Sequence, residues 1–144
     1  MTIALASDHA GYKYKEAVKC FLHDRGYDVA DCGTSSEEAV DYPLVVMPVA
    51  KDVAIGRYDR AIVFGRSGNG EAMAANRIPG IRCALCWNTE TARLSREHND
   101  ANMLSIGQDL VPLETALDIV RVWLSTAFSG GRHEQRIRLL DETV

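Results

Sequence analysis

Five short runs that read as strands, each giving way to a stretch of helical spacing, constrain this chain more than any other feature. The runs lie at residues 3–6, 27–32, 59–64, 81–87 and 102–106, and the apolar stretch Ala61-Ile62-Val63-Phe64 within the third reads as buried. Residues 12–25 follow the first run. There Tyr14, Ala17, Val18, Phe21 and Leu22 fall on one stripe, and Gly26 stops the helix. After a polar loop at 33–41, Pro43 can open a helix running to about residue 55, in which Pro48 predicts a kink or a late start. A helix start at 72–76 is ended by Pro79-Gly80, and Asn88 caps a helix ending near His98-Asn99-Asp100. Residues 112–128 read as a long amphipathic helix, Ser129-Gly130-Gly131 as a hinge, and residues 132–143 as a short terminal helix. Strands alternating with helices imply an α/β fold whose parallel sheet is covered on both faces. In such sheets ligands bind beyond the carboxyl ends of the strands.

A length of 144 residues fits one domain, 1–144. The net charge of −4 argues against a general nucleic-acid binder, which is usually basic. No apolar run approaches the ~20 residues of a membrane span, and Asp8-His9 interrupts the short N-terminal run before it could serve as a signal peptide. The expected location is therefore cytoplasmic. Cys83-Ala-Leu-Cys86 matches C-x-x-C on paper, but it lies inside a strand, where residues three apart point to opposite faces. Buried reduced thiols are expected there rather than a metal or redox pair.

The stretch with the most chemistry is Gly65-Arg66-Ser67-Gly68-Asn69-Gly70-Glu71, between the third strand and a helix. A strand that breaks into small residues and re-enters a helix leaves backbone N–H groups pointing outward, with the positive end of the helix behind them. That cradle suits an anion or a developing oxyanion. Glu71, in the first helical turn, faces the same space as a candidate proton-abstracting base. The stretch is no P-loop, since no Gly-Lys-Ser/Thr follows, and Met73 stands where a dinucleotide fingerprint needs glycine. A tight chain reversal would by itself also account for the glycines.

Three further clusters carry candidates. Asp8-His9 follows the first strand, as substrate contacts or as a helix cap with a neighbouring exposed histidine. His98-Asn99 ends a helix, a place suited to a cation, as a general acid or a surface histidine. Arg132 and Arg136 stand at i and i+4 on one helix face, as a phosphate clamp or a solvated basic face. Tyr42 lines the site or packs. Together the clusters supply a carboxylate, a histidine, a backbone cradle and an arginine pair. That inventory fits proton abstraction beside the carbonyl of a phosphorylated substrate, with no metal and no cofactor required.

Ser7-Asp8-His9-Ala10-Gly11, Asp41-Tyr42-Pro43, the 65–71 turn with Ala74-Ala75-Asn76, Pro79-Gly80-Ile81-Arg82, Arg96-Glu97-His98-Asn99 and Gly131-Arg132-His133-x-x-Arg136 together resemble the ribose-5-phosphate isomerase B family, which includes galactose-6-phosphate isomerase subunits. The resemblance spans nearly the whole chain in order. It implies a Rossmann-like three-layer sandwich with a five-stranded parallel sheet and a C-terminal helix. It also implies a homodimer or homotetramer whose sites combine residues of two subunits. The family interconverts aldose and ketose sugar phosphates through an enediolate. One branch takes a cysteine as base just after the third strand, where this chain has Gly65; the other takes a glutamate in Ser-Gly-Asn-Gly-Glu, which matches Ser67 to Glu71. By this resemblance Glu71 is the base, and His98 opens the sugar ring and donates the proton, with Asp8 and Ser67 assisting. His9, Tyr42 and Asn99 contact the sugar. The backbone of Arg66, Ser67, Gly68, Asn69 and Gly70 holds the enediolate, and Arg132 and Arg136 hold the phosphate.

Two departures from the family pattern fall at the site. Arg66 stands where glycine is usual, and Asp109 where a phosphate-binding arginine is usual. They bear on which sugar is used. The alternatives are another sugar or sugar phosphate of four to six carbons, or a sugar-phosphate-binding module without catalysis. Exchange of a substrate carbon-bound proton with heavy water separates an isomerase from a binder.

Overall fold

The computed structural model describes residues 1–142; Thr143, to which the sequence extends the last helix, lies outside the described residues. Strands β1 (Thr2–Ser7), β2 (Asp28–Asp31), β3 (Arg60–Gly65), β4 (Cys83–Leu85) and β5 (Met103–Gly107) form one sheet in the order β2-β1-β3-β5-β4. Every neighbouring pair is parallel. Helices α1 (Tyr12–His23), α2 (Tyr42–Ala54), α3 (Asn69–Ala75), α4 (Thr89–Asn99) and α5 (Leu113–Ser125) alternate with the strands, and α6 (Arg132–Glu142) follows.

The period of two along each strand divides the core into two layers. Ile3, Leu5, Phe64 and Ile106 pack with Val18 and Leu22 of α1, Ala92 of α4 and Ile119 and Trp123 of α5. Ala4, Ala6 and Val63 pack on the other face with Val46 and Val49 of α2 and Ala74 and Ala75 of α3. The result is the expected three-layer sandwich. Cys83 belongs to the second cluster and Cys86 to the first, so the C-x-x-C thiols lie on opposite sides of the sheet. Among the described residues no helix is long and apolar enough to cross a membrane.

Several boundaries differ from the sequence reading. Helix α2 begins at Tyr42 and continues through Pro48, so no late start occurs; Pro48 is exposed, on the side of the helix away from the core. Strand β4 is shorter than residues 81–87 because it pairs only with β5. On its free side a side-chain amide takes over: the Cys83 N–H donates to Asn76 Oδ1 at 2.8 Å, and Asn76 Nδ2 donates to Cys83 O at 2.9 Å. Helix α3 starts at Asn69, three residues before the expected start, with Gly68 as its cap at φ 81°. That left-handed backbone favours glycine.

The strand order places the topological switch between β1 and β3. From β1 the chain moves outward to β2, and from β3 it moves the other way to β5 and β4. A crevice opens where the direction reverses, at the carboxyl ends of those two strands. Asp8 and the turn from Gly65 to Glu71 leave the sheet at that point.

Candidate active site

Asp8 follows β1 directly, and its N–H donates to Phe64 O at 3.3 Å, which binds it to the end of β3. Asp8 Oδ1 accepts the N–H groups of Ala10, at 2.9 Å, and Gly11, at 3.1 Å. The residue therefore is a helix cap, and the same capping fixes its carboxyl at the switch point. Glu71, in the first turn of α3, folds back over β3 until its carboxylate lies against the Cα of Gly65. It is only 3% exposed, and Asp8 only 8%. Burial raises the Glu71 carboxyl, and the charge of Asp8 and a hydrogen bond to it raise it further, outweighing its own backbone N–H, to about 7. A carboxyl poised there exchanges protons readily near neutral pH.

The turn that carries Glu71 is tied to β5. Ser105 Oγ donates to Gly68 O at 2.8 Å, and the N–H groups of Gln108 and Asp109 donate to the carbonyls of Gly65, at 2.8 Å, and Arg66, at 3.0 Å. Ser67 Oγ accepts the Asn69 N–H at 3.2 Å, so one donor of the expected cradle is engaged within the turn. The Tyr42 ring lies on Gly70, where a Cβ would meet it. His9 Nδ1 accepts the Val40 N–H at 3.2 Å, which ties the 33–41 loop to the same edge. Arg66 Nη1 donates to Asp109 Oδ2 at 2.9 Å; both side chains are exposed. A recess of about 260 Å³ between His9, Lys13, Glu37, Arg66, Gln108 and Asp109 adjoins this edge. Asp8, His9, Tyr42, Arg66, Ser67, Gly68, Asn69, Gly70 and Glu71 thus form one group.

The remaining candidates form a second group at the opposite edge. Helix α4 returns from the end of β4 to the start of β5, so His98 and Asn99 lie at the amino ends of the strands. The length of β5 separates the two edges, about 13 Å at 3.3 Å per residue. The imidazoles of His98 and His133 stack there, with centroids 4.4 Å apart and planes 15° from parallel. His133 lies in the first turn of α6, between Arg132 and Arg136, which are exposed. A single chain does not bring His98, Asn99, Arg132 or Arg136 to Glu71. A cleft of about 470 Å³ adjoins this second group, lined by Asn99, Arg82, Asn76 and Leu140 among others.

Sequence reasoning quoted Arg82 and Arg96 within motifs but gave no role to the residues that hold these groups in place. Arg82 donates to Asn99 O through Nε and to Asp100 O through Nη2, both at 2.9 Å. Buried Arg96 donates to Asp100 Oδ1, at 2.8 Å, and Ala101 O, at 2.7 Å. Between them they close the end of α4 around Asp100, a non-glycine residue at φ 45°. Ser105 was missed, and His133, quoted beside the arginine pair, was given no role. The signal for His133 was its place beside Arg132; Ser105 gave none. Among the described residues no group of three or more His, Cys, Asp or Glu could hold a metal ion.

The chain matches the family model described as Ribose/Galactose Isomerase over residues 3–140. It is 42% identical over 138 residues to the ribose-5-phosphate isomerase B of Escherichia coli K12, covering 96% of this chain and 93% of that one. The ribose-5-phosphate isomerase B of Mycolicibacterium paratuberculosis is 42% identical over 144 residues, covering 99% of this chain and 91% of that one. Among solved structures, ribose-5-phosphate isomerase B of Clostridium thermocellum superposes with a TM-score of 0.98 at 49% identity, covering 99% of this chain and 97% of that one. The Thermotoga maritima enzyme superposes at 0.96 with 48% identity, covering 98% and 97%. The chain belongs to the Ribose/Galactose Isomerase family and is an isomerase.

Proposed function

We propose that this chain interconverts ribose 5-phosphate and ribulose 5-phosphate, working as a single cytoplasmic domain in a homodimer or homotetramer. The observation that carries the reading is the buried Glu71 carboxyl, held at about 7 beside Asp8 at the switch point. His98 opens the sugar ring by moving a proton between the ring oxygen and the C1 hydroxyl. Glu71 then takes the C2 proton of the open aldose, leaving an enediolate. Its negative oxygen lies against the N–H groups of the 66–70 turn and the N-terminal end of α3. Returning that proton to C1 while the C2 hydroxyl proton passes to the C1 oxygen gives the ketose, with no net oxidation. Ser67 and Asp8 assist, His9, Tyr42 and Asn99 contact the sugar, and Arg132 and Arg136 grip the phosphate as charged forks. No step in this scheme calls on a metal or cofactor.

The separation of the two groups supports a site shared between subunits. In one chain they sit at opposite edges, so a second copy would bring its amino-edge group to the first copy's carboxyl edge. Met73, 67% exposed on α3, and Leu44, 71% exposed on α2, flank the carboxyl-edge group with apolar surface that such a copy would cover. A second reading, a different four- to six-carbon sugar or sugar phosphate, draws on the Arg66–Asp109 pair beside the site.

The test is isomerisation of ribose 5-phosphate by the purified protein and by Glu71→Gln, with proton exchange at carbon followed in heavy water. A positioned base contributes about 10²–10⁴-fold, so turnover and exchange should fall by that factor while substrate binding survives. Near-normal turnover in the variant removes Glu71 from the role. Wild-type binding without exchange leaves a binding module.

A further inference from the structure

We propose that His133 is a positioning residue that couples the arginine-bearing helix α6 to His98 through the stacked imidazole pair. The proposal rests on the reading that His98, Arg132 and Arg136 take part in the reaction.

Helix α6 has no buried residue. It hangs from Gly130 and Gly131, both with left-handed backbones at φ 68° and 61°. Three contacts with the rest of the domain mark its course. Before it starts, the Ser129 N–H donates to Glu97 O at 3.0 Å. Near its end, Asp141 Oδ1 accepts the Gly80 N–H at 3.1 Å. Between them, His133 lies on His98. Neither Arg132 nor Arg136 has an acceptor among the described residues, so nothing in the arginine pair itself fixes where it points.

One residue is about 100° of helix rotation, so docking His133 against the body sets the direction of Arg132 and Arg136 beside it. The same contact sets His98. Its ring stands on the last turn of α4, where an imidazole without a neighbour rotates freely. One stack therefore fixes two things: the direction of the arginine pair and the plane of the candidate acid. The charges around it suit a neutral partner. Burial lowers His133 from the ordinary imidazole value, and His98, Arg132 and Arg136 lower it further. A neutral ring stacks without like-charge repulsion.

The test compares His133→Ala, His133→Phe and Asp141→Asn in steady-state turnover of ribose 5-phosphate. Loss of an aromatic stack corresponds to about two- to tenfold, so His133→Ala should raise KM and lower kcat, each within that range. His133→Phe keeps a ring on His98 and should recover most of both. Asp141→Asn frees only the far end of α6 and should raise KM alone. An unchanged kcat in His133→Ala, or a phenylalanine variant no better than alanine, overturns the proposal. Inorganic phosphate supplies a readout that does not need turnover. Titrated into the wild type, it should shift the His98 ring signals in NMR, and the shift should vanish in His133→Ala. If the wild type turns over no pentose phosphate, the proposed function fails, and the phosphate titration still decides the coupling. An equal His98 shift with and without His133 overturns it.

Discussion

The Glu71 carboxylate occupies the space that a side chain on Gly65 would need: a Cβ built there falls on both carboxylate oxygens. Glycine at this position and glutamate six residues later are therefore one feature. The atom displaced by a new Cβ is the free end of a side chain, so Gly65→Ala should fold while turning Glu71 away. Turnover is expected to fall by about 10²–10⁴-fold, the worth of a positioned base. The overlap also bears on the family's other branch, whose cysteine base follows the third strand. Gly65→Cys combined with Glu71→Ala should place a thiolate where the carboxylate stood and regain part of the turnover lost in Glu71→Ala. Full activity in Gly65→Ala, measured with a confirmed native circular dichroism spectrum, would contradict this account.

A base must give up its proton before it can act. Because burial and then Asp8 raise Glu71 to about 7, kcat/KM should climb as the pH rises through about 7. Asp8→Asn keeps a side-chain oxygen for the Ala10 and Gly11 N–H groups and removes the neighbouring charge. The climb should then move to lower pH. It should stop short of 4.5, the ordinary value, because burial is the larger cause and remains. A profile that stays in place or moves to higher pH would separate Asp8 from the tuning of Glu71.

The layers of the fold were legible because buried strands and amphipathic helices announce themselves through period and punctuation. Residues 59–64 and 102–106 lie within one residue of β3 and β5. The opposite placement of Cys83 and Cys86 followed from the strand period. Residues 81–87 misled because apolar content records burial, whereas strand length records pairing, and β4 has one neighbour. The site was legible where chemistry and turn coincide in sequence, as at 65–71. It was not legible where support comes from far away: Ser105 reaches Gly68 across 37 positions, and no local pattern marks such a contact. The 3.6-residue period likewise said nothing of His133, whose partner is on another helix.

If the two edges meet across a subunit interface, two dead proteins should repair each other. Glu71→Gln and His98→Ala are each expected to be inactive. Mixed with subunit exchange, half the dimers are hybrids with one intact and one doubly altered site. About a quarter of wild-type activity should return. Zero recovery, with exchange shown by mass-labelled subunits, would rule out a site shared by Glu71 and His98 across the interface.

Arg66 and Asp109 set the last expectation. The pair is made at 2.9 Å, with the side chains 71% and 48% exposed. Exposed pairs contribute only about 0–1 kcal/mol, so the contact does little for folding. Its effect on the adjoining recess differs in kind. Alone, the Asp109 carboxylate would repel a phosphate approaching past His9 and Lys13; with Arg66 on it, that edge carries no net repulsion. Arg66→Gly is therefore expected to lower kcat/KM for ribose 5-phosphate by up to about fivefold, the equivalent of 1 kcal/mol. The loss on the neutral sugar ribose should be much smaller. Asp109→Asn in the Arg66→Gly background removes the charge that Arg66 answered and should restore the phosphate substrate. The cycle of both single variants and the double one, run at low and at high salt, isolates that interaction, since screening weakens it. Equal losses on both sugars, no rescue by Asp109→Asn, or wild-type preference for the neutral sugar would mean that the pair reshapes the recess for another substrate instead of readying it for a phosphate.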